Sequence, residues 1–274
     1  MKVSLIMPTY NRDFIIELAI QSIVHQKEHS IDIELLIGDD GDDNTDKIVA
    51  EIKNVNPKLQ ILYRKTERIP LSDKINKLIR ESSGEFYGLI GSDDFQSPYK
   101  IIAFEKALAQ NPDGDMFGQR KFIFHDIVFN KSLLWIQNRR MDKYMAGSFL
   151  LIRRTIFNEY DGYGSGLWKS IDTSLANKVD WSKIKLIDVE NIDDRVLLSS
   201  IAMQHKNNIW IRKKRGFNPF RKKQTSNFLT KKIRIDMETM LEECYPIYQE
   251  IAKPMRYEYS WFNFRKRFNL FWKK

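Results

Sequence analysis

The strongest constraint on this chain is the alternation of two periodicities through its first hundred residues. Val3-Ser4-Leu5-Ile6-Met7 is a short apolar strand stopped by Pro8, and a helix follows with Ile15, Leu18, Ala19 and Ile23 on one side, with Asn11 or Asp13 as its expected cap. Glu34-Leu35-Leu36-Ile37 is the second strand, followed by a helix running to about Lys53. Leu59 to Tyr63 reads as strand, Ser72 to Ser82 as helix, and Phe86 to Ile90 as strand again. Short apolar strands separated by helices predict a parallel sheet covered on both faces, with a ligand crevice beyond the carboxyl ends of the strands.

The polar signals lie at those ends. Thr9-Tyr10-Asn11-Arg12 follows the first strand, Asp39-Asp40 the second, and Ser92-Asp93-Asp94 the strand ending near Ile90. Carboxylates at this density repel one another unless a cation, a donor or solvent compensates. Oxygen ligands of this kind suit Mg²⁺ or Mn²⁺, whose shell substrate phosphates commonly complete. Turn formation alone equally accounts for Asp42, Asp43, Asn44 and Asp46. Other chemistries lack their signatures: there is no G-x-x-x-x-G-K-[ST] loop, no G-x-G-x-x-G after the first strand, no G-x-S-x-G elbow and no H-E-x-x-H.

Beyond Pro98 the pattern predicts a helix over about 100–110, strand-like pieces around 121–128 and 148–152, and a helix starting near Ile171. Residues 1–211 read as one domain, and 212–274 as a basic, aromatic, helical tail. The net charge of +9 is concentrated there: 212–274 hold 17 Lys/Arg against 6 Asp/Glu, leaving the body near neutrality. Tyr257, Trp261, Phe264, Phe268, Phe271 and Trp272 recur at helical spacing among cations, so 255–274 suits either an anionic membrane surface or packing on the domain or on a second copy of the chain. The single cysteine, Cys244, and the lack of a leader or spanning segment predict a cytoplasmic protein, peripheral to the inner membrane face if the tail docks. A nucleic-acid partner is not expected from a neutral body without a recognisable module.

Taken together, Met7-Pro8-Thr9-Tyr10-Asn11-Arg12, Gly38 to Thr45 and Gly91-Ser92-Asp93-Asp94 resemble, in order and spacing, the nucleotide-sugar motifs of family 2 glycosyltransferases of GT-A fold. Gly147 to Arg154, Asp161-Gly162-Tyr163 and Asp172-Thr173-Ser174-Leu175 resemble the family's acceptor half, so about 1–98 would be the donor half and 99–211 the acceptor half. The resemblance implies a Rossmann-like, mostly parallel sheet flanked by helices and an inverting hexosyl transfer from a nucleotide sugar, expected to be UDP-linked, to a glycan or lipid-linked saccharide of a surface polysaccharide. It implies that Pro8, Thr9, Tyr10, Asn11, Arg12, Asp39, Asp40, Ser92 and Asp93 bind the nucleotide sugar, with Thr9 and Asp40 on the base and Asp93 on the ribose. Asp94 and His205 would serve the Mn²⁺ or Mg²⁺, and Asp172 would be the catalytic base. A helix-dipole role for Asp172 remains open beside this, as does a non-catalytic nucleotide-sugar binding module. Two positions depart from the family pattern: Gly91 replaces an acidic residue, and Ile75 stands where an arginine is usual, with Lys74 and Arg68 as the nearby cations.

Overall fold

The computed structural model describes residues 1–137, 150–189, 200–205, 228–233 and 236–258. β1 (Lys2–Thr9), β2 (Asp32–Asp39), β3 (Gln60–Lys65) and β4 (Phe86–Leu89) are joined by α1 (Ile16–Val24), α2 (Thr45–Val55) and α3 (Leu71–Glu81), as the periodicities require. After them come β5 (Asp94–Gln96), α4 (Lys100–Gln110), β6 (Met116–Gly118), β7 (Lys121–Asp126), β8 (Lys131–Gln137), β9 (Leu150–Arg153), α5 (Arg154–Glu159) and α6 (Ile171–Lys178). The described chain is completed by β10 (Leu186–Asp188), β11 (Ser200–Gln204), β12 (Phe228–Ile233), α7 (Met237–Leu241), a 3-10 turn Glu242–Cys244 and α8 (Tyr245–Glu258).

Among the described residues the main sheet has the order β10-β6-β9-β4-β1-β2-β3. β1 lies parallel to both β2 and β4, while β9 enters antiparallel to β4 and β6, so the sheet is mostly rather than wholly parallel. The chain runs outward from β1 to β3 and returns to β4 on the other side of β1. That reversal opens a crevice at the carboxyl end of β1, where open α/β sheets bind ligands.

Alternation along the strands sorts the core. Val3, Leu5 and Met7 of β1 join Leu35 and Ile37 of β2 in a cluster with α1, α2 and α4. Ile6 and Leu36 face the other way, against Ile75, Leu78 and Ile79 of α3 and Ile171 and Leu175 of α6. Each buried aliphatic side chain contributes on the order of 1.5–3 kcal/mol to holding its helix on the sheet.

A second sheet, order β12-β8-β7-β11-β5, packs on the far side of α1. Ile15 and Leu18 meet Phe95, Ile123, Ile201 and Met203 there, together with Met237, Leu241, Cys244, Tyr248 and Ala252. Residues 228–258, which sequence reading assigns to an appended helical tail, therefore supply a strand to this sheet and helices to its core. Burial pushes the Cys244 thiol up to about 12, so it behaves as a small apolar side chain. The strand signal at 121–128 corresponds to β7, which lies between the unforeseen β8 and β11. Gly147 to Phe149, the boundary near 211, the basic runs Arg212–Arg215 and Arg221–Lys223, and the aromatic stripe from Trp261 to Trp272 lie outside the described residues.

Candidate active site

Three loops form the rim at the crevice. The register pairs Thr9 with Asp39 and Pro8 with Gly38, while the Ile90 N–H donates to Ile6 O at 3.0 Å, so the residues after β1, β2 and β4 emerge side by side. The first loop does not cap α1 as expected. The N-cap position is Ile15, without a side-chain bond, and Asn11 and Asp13 instead tie the loop to the acidic turn. Asn11, at φ 50°, accepts from the Asp42 N–H at 2.9 Å, and the Asp13 N–H donates to Asp43 at 2.8 Å. Gly41 leaves room for this approach, since a Cβ there would lie 2.6 Å from the Asn11 nitrogen. Asp43 also accepts from the Thr45 N–H at 3.1 Å, which is the turn-forming role open to it from sequence.

Neighbouring aspartates have different environments. Asp39 is fully buried; it accepts from the Gly41 N–H at 2.8 Å, the Tyr63 hydroxyl at 2.6 Å and Lys65 Nζ at 3.0 Å, so its partners all belong to the turn and to β3. Burial and then Asp39 push the Tyr63 hydroxyl well above its ordinary range. Asp40 faces the other neighbours: one oxygen accepts from Arg68 Nη1 at 2.9 Å and the other from Lys74 Nζ. Lys74 also donates to Thr9 O at 3.0 Å. Burial lowers the Lys74 pKa, opposed by the hydrogen bond and charge of Asp40. The Thr9 hydroxyl beside them is buried without a hydrogen-bond partner.

Lys74, one position before the place where the family pattern has an arginine, is thus the cation that meets Asp40, while Ile75 is buried in the apolar core. A signal existed: Lys74 lies three residues after Leu71 and four before Leu78, on the sheet-facing stripe of α3, where a cation needs a buried carboxylate. Arg68, the other cation named from the sequence, has surroundings that the sequence did not show. Its guanidinium carbon lies 3.6 Å from the Tyr10 ring centroid and 4.9 Å from that of Trp168, a contact across three separate loops that no local pattern encodes.

The third loop begins with Ser92, which is buried, and holds its two carboxylates close together. A Cβ on Gly91 would lie 2.5 Å from Asp94 Oδ2 and 3.2 Å from Asp93 Oδ1, so these carboxylates fill the space an acidic side chain would take. β11 runs antiparallel to β5 with Ala202 opposite Asp94, which carries the following His205 up to the loop. There His205 Nε2 lies 3.1 Å from Asp93 Oδ2, with the ring edge-on to Phe14 at 5.0 Å. Arg12 Nε approaches the same oxygen at 3.6 Å. Burial alone would raise the Asp93 pKa, but the His205 hydrogen bond and charge, with Arg12, hold it below the ordinary carboxylate value. Beneath Asp94, Lys100 is buried with Nζ bonded to Gln96 Oε1 at 2.6 Å, and burial lowers its pKa to about 7 against the pull of Asp94.

Asp172 stands in the first turn of α6, half-buried, and accepts from the Thr173 N–H at 3.0 Å. The loop before it is fastened to the start of α3: Ser165 Oγ donates to Asp73 at 2.8 Å, the Leu167 N–H to Ser72 Oγ at 2.9 Å, and the Ser72 N–H to Leu167 O at 3.0 Å. These bonds bring the exposed Trp168 to Arg68, so the acceptor-side segment meets the rim beside Asp40.

Among the described residues no group of three or more His, Cys, Asp or Glu is placed to hold a metal ion by itself. A Mg²⁺ or Mn²⁺ site completed by a diphosphate needs only one or two carboxylates. The Asp93–Asp94 pair, crowded at Gly91 with His205 alongside, meets that lesser requirement.

A mostly parallel α/β sheet whose acidic loops meet at its switch point defines the doubly wound class of fold. The chain belongs to glycosyl transferase family 2, whose model matches residues 4–171. It is 36% identical over 125 residues to an uncharacterized glycosyltransferase of Mycoplasma genitalium, covering 44% of this chain and 42% of that protein. It is 29% identical over 94 residues to the GalNAc(5)-diNAcBac-PP-undecaprenol beta-1,3-glucosyltransferase of Campylobacter jejuni, covering 34% of this chain and 30% of that one. The matches thus span less than half the length of these curated relatives. Among solved structures, S. aureus TarS 1-349 in complex with UDP-GlcNAc superposes with a TM-score of 0.59 at 17% identity, over 76% of this chain and 60% of the other. The mannosyltransferase PcManGT from Pyrobaculum calidifontis, in complex with GDP-Man and Mn²⁺, gives 0.57 at 17% identity, over 75% and 58%. These likenesses establish the GT-A fold.

Proposed function

We infer that this transferase moves a hexose from a nucleotide sugar, UDP-linked, to a glycan or lipid-linked saccharide in surface-polysaccharide assembly, with inversion at the anomeric carbon. The observation that supports the reading is the side-by-side emergence, in a family 2 fold, of the loops after β1, β2 and β4, which carry Thr9 and Arg12, Asp40, and Asp93 with Asp94. Thr9 and Asp40 take the base, with the Thr9 hydroxyl free to bond it. Pro8, Tyr10, Asn11, Arg12 and Ser92 line the donor, Asp39 shapes the turn beneath it, and Asp93 takes the ribose. Asp94, with His205 nearby, holds Mn²⁺ or Mg²⁺, which when bound supplies Lewis-acid stabilisation of the leaving diphosphate.

Asp172 serves as general base, accepting the proton of the attacking hydroxyl. A single displacement with one base inverts the anomeric centre, and no second carboxyl is needed because a diphosphate leaves without protonation. Because β12 pairs with β8 in the second sheet and α8 packs in that sheet's core, we assign the catalytic unit to the chain through α8. No helix among the described residues is long and apolar enough to cross a membrane; a cytoplasmic enzyme docked on anionic lipid through 255–274 fits the lipid-linked acceptor. The test is transfer from a panel of nucleotide sugars with Mn²⁺ or Mg²⁺, comparing wild type with Asp172→Asn. The variant is expected to lose about a hundredfold or more in turnover at similar donor affinity. Near-normal turnover would reassign the base, and no transfer or donor hydrolysis by wild type from any sugar nucleotide would leave a binding module.

A further inference from the structure

Arg68 sits on the connection between β3 and α3 and touches the carboxylate and the aromatic faces that a flat ligand beside Asp40 would use. Nη1 donates to Asp40 Oδ2 at 2.9 Å, and its guanidinium lies over Tyr10 at stacking distance with Trp168 close by. Tyr10 and Trp168 are 41% and 48% exposed, so both present aromatic surface to solvent at the rim. A guanidinium is planar, donates N–H bonds within its plane and stacks on aromatic faces. A nucleobase with an in-plane imide N–H presents the same features, so one cannot be seated on this face of Tyr10 while the other is.

The two cations on Asp40 are not equivalent. Lys74 is buried, bonds both Asp40 and the Thr9 carbonyl, and belongs to the rigid α3. The Arg68 side chain is 49% exposed and can move into solvent without leaving Asp40 uncompensated, because Lys74 stays. An exposed ion pair and an exposed cation–π contact are each weak. A ligand that buries more surface on Tyr10 therefore displaces them.

We propose that Arg68 is an internal stand-in for the nucleobase: it occupies Asp40 Oδ2 and the Tyr10 face in the free protein and swings out when the donor binds. The proposal rests on the reading of Thr9 and Asp40 as the base pocket. The closed form competes with the ligand, so apparent affinity is reduced by the fraction of molecules whose pocket is open.

The test is calorimetric titration of UDP, with GDP in parallel, into wild type, Arg68→Ala, Arg68→Lys and Tyr10→Ala at about 0.15 M salt, where charges beyond roughly 8 Å are largely screened. Arg68→Ala is expected to bind the accepted nucleotide roughly tenfold tighter than wild type. Arg68→Lys, which keeps the charge but loses the planar stack, should fall between them, and Tyr10→Ala should bind more weakly than wild type. Equal or weaker binding by Arg68→Ala, with wild type binding normally, would overturn the stand-in and make Arg68 a spectator or a direct contact of the base. Binding of neither nucleotide to wild type or to Arg68→Ala would overturn the base-pocket reading, and the stand-in with it.

Discussion

Lys74→Met keeps most of the side chain's length and removes its charge, leaving Asp40 with Arg68 alone and the Thr9 carbonyl without its donor. Lys74 is only 3% exposed, so water cannot replace the lost bonds without opening α3 from the sheet. Removing one partner of a buried ion pair costs about 3–5 kcal/mol. The half-exposed Arg68 still serves the other Asp40 oxygen, which places the expected cost near the lower end, about 3 kcal/mol. Asp40→Asn should cost a similar amount, because it strands the buried ammonium between a neutral amide and the Thr9 carbonyl. The double variant has no buried charge at this point, so its loss should fall short of the sum of the single losses by about 2 kcal/mol or more. Urea denaturation at pH 7 with all four proteins measures this, provided the slope is unchanged. Single losses below about 1 kcal/mol, or additivity within about 0.5 kcal/mol, would show that the pair is not the buried, mutually dependent unit described.

Two further outcomes are expected. Glu34, buried toward the amino end of β2 and away from the crevice, accepts from Ser4 Oγ at 2.6 Å, the Ser83 N–H at 2.5 Å and Lys2 Nζ at 3.0 Å. Burial opposes its ionisation, yet these donors lower its pKa from 4.5 to about 2. A depressed carboxyl pKa contributes stability that is present above about 4.5 and is lost as pH falls toward 2, on the order of 3 kcal/mol here. Glu34→Gln should be less stable than wild type at pH 7 by a comparable amount, with the gap narrowing through that window and nucleotide binding unchanged; parallel stability profiles for the two proteins would contradict this. Gly91→Ala forces Asp94 to rotate, because its carboxylate carbon would lie 2.8 Å from the new Cβ. Calorimetry should then show the Mn²⁺-dependent part of nucleotide binding weakened at least about fivefold, and undiminished binding would remove Asp94 from the donor site.

The four early strands and three intervening helices were legible because burial on a two-sided sheet demands apolar runs of strand length, and surface helices demand amphipathic ones. Strand signals also marked β7 and β9, but the antiparallel placement of β9, the hairpin partner β8 and the contribution of β12 were not legible. Short strands of mixed composition carry little periodicity, and their partners are remote in the chain: β12 pairs with β8 about a hundred residues away. The cap assigned to Asn11 or Asp13 failed for a related reason. Both residue types suit an N-cap, but the acidic turn after β2 lies close enough to offer stronger use for their side chains and backbone.

By itself, the sequence determined the α/β class, the position of the crevice and the acidic loops that reach it, since those follow from local periodicity and from the rule that loops leave the carboxyl ends of parallel strands. Only the tertiary structure decided what each carboxylate faces. Asp39 and Asp40 are adjacent in the chain, yet opposite orientation gives one to Tyr63 and Lys65 and the other to Arg68 and Lys74. Asp93 meets His205 more than a hundred residues later, because antiparallel pairing of β11 with β5 fixes where that histidine ends. The charge environment of a side chain is set by distances of a few ångströms, and the packing that fixes those distances joins segments whose separation along the chain carries no record of them.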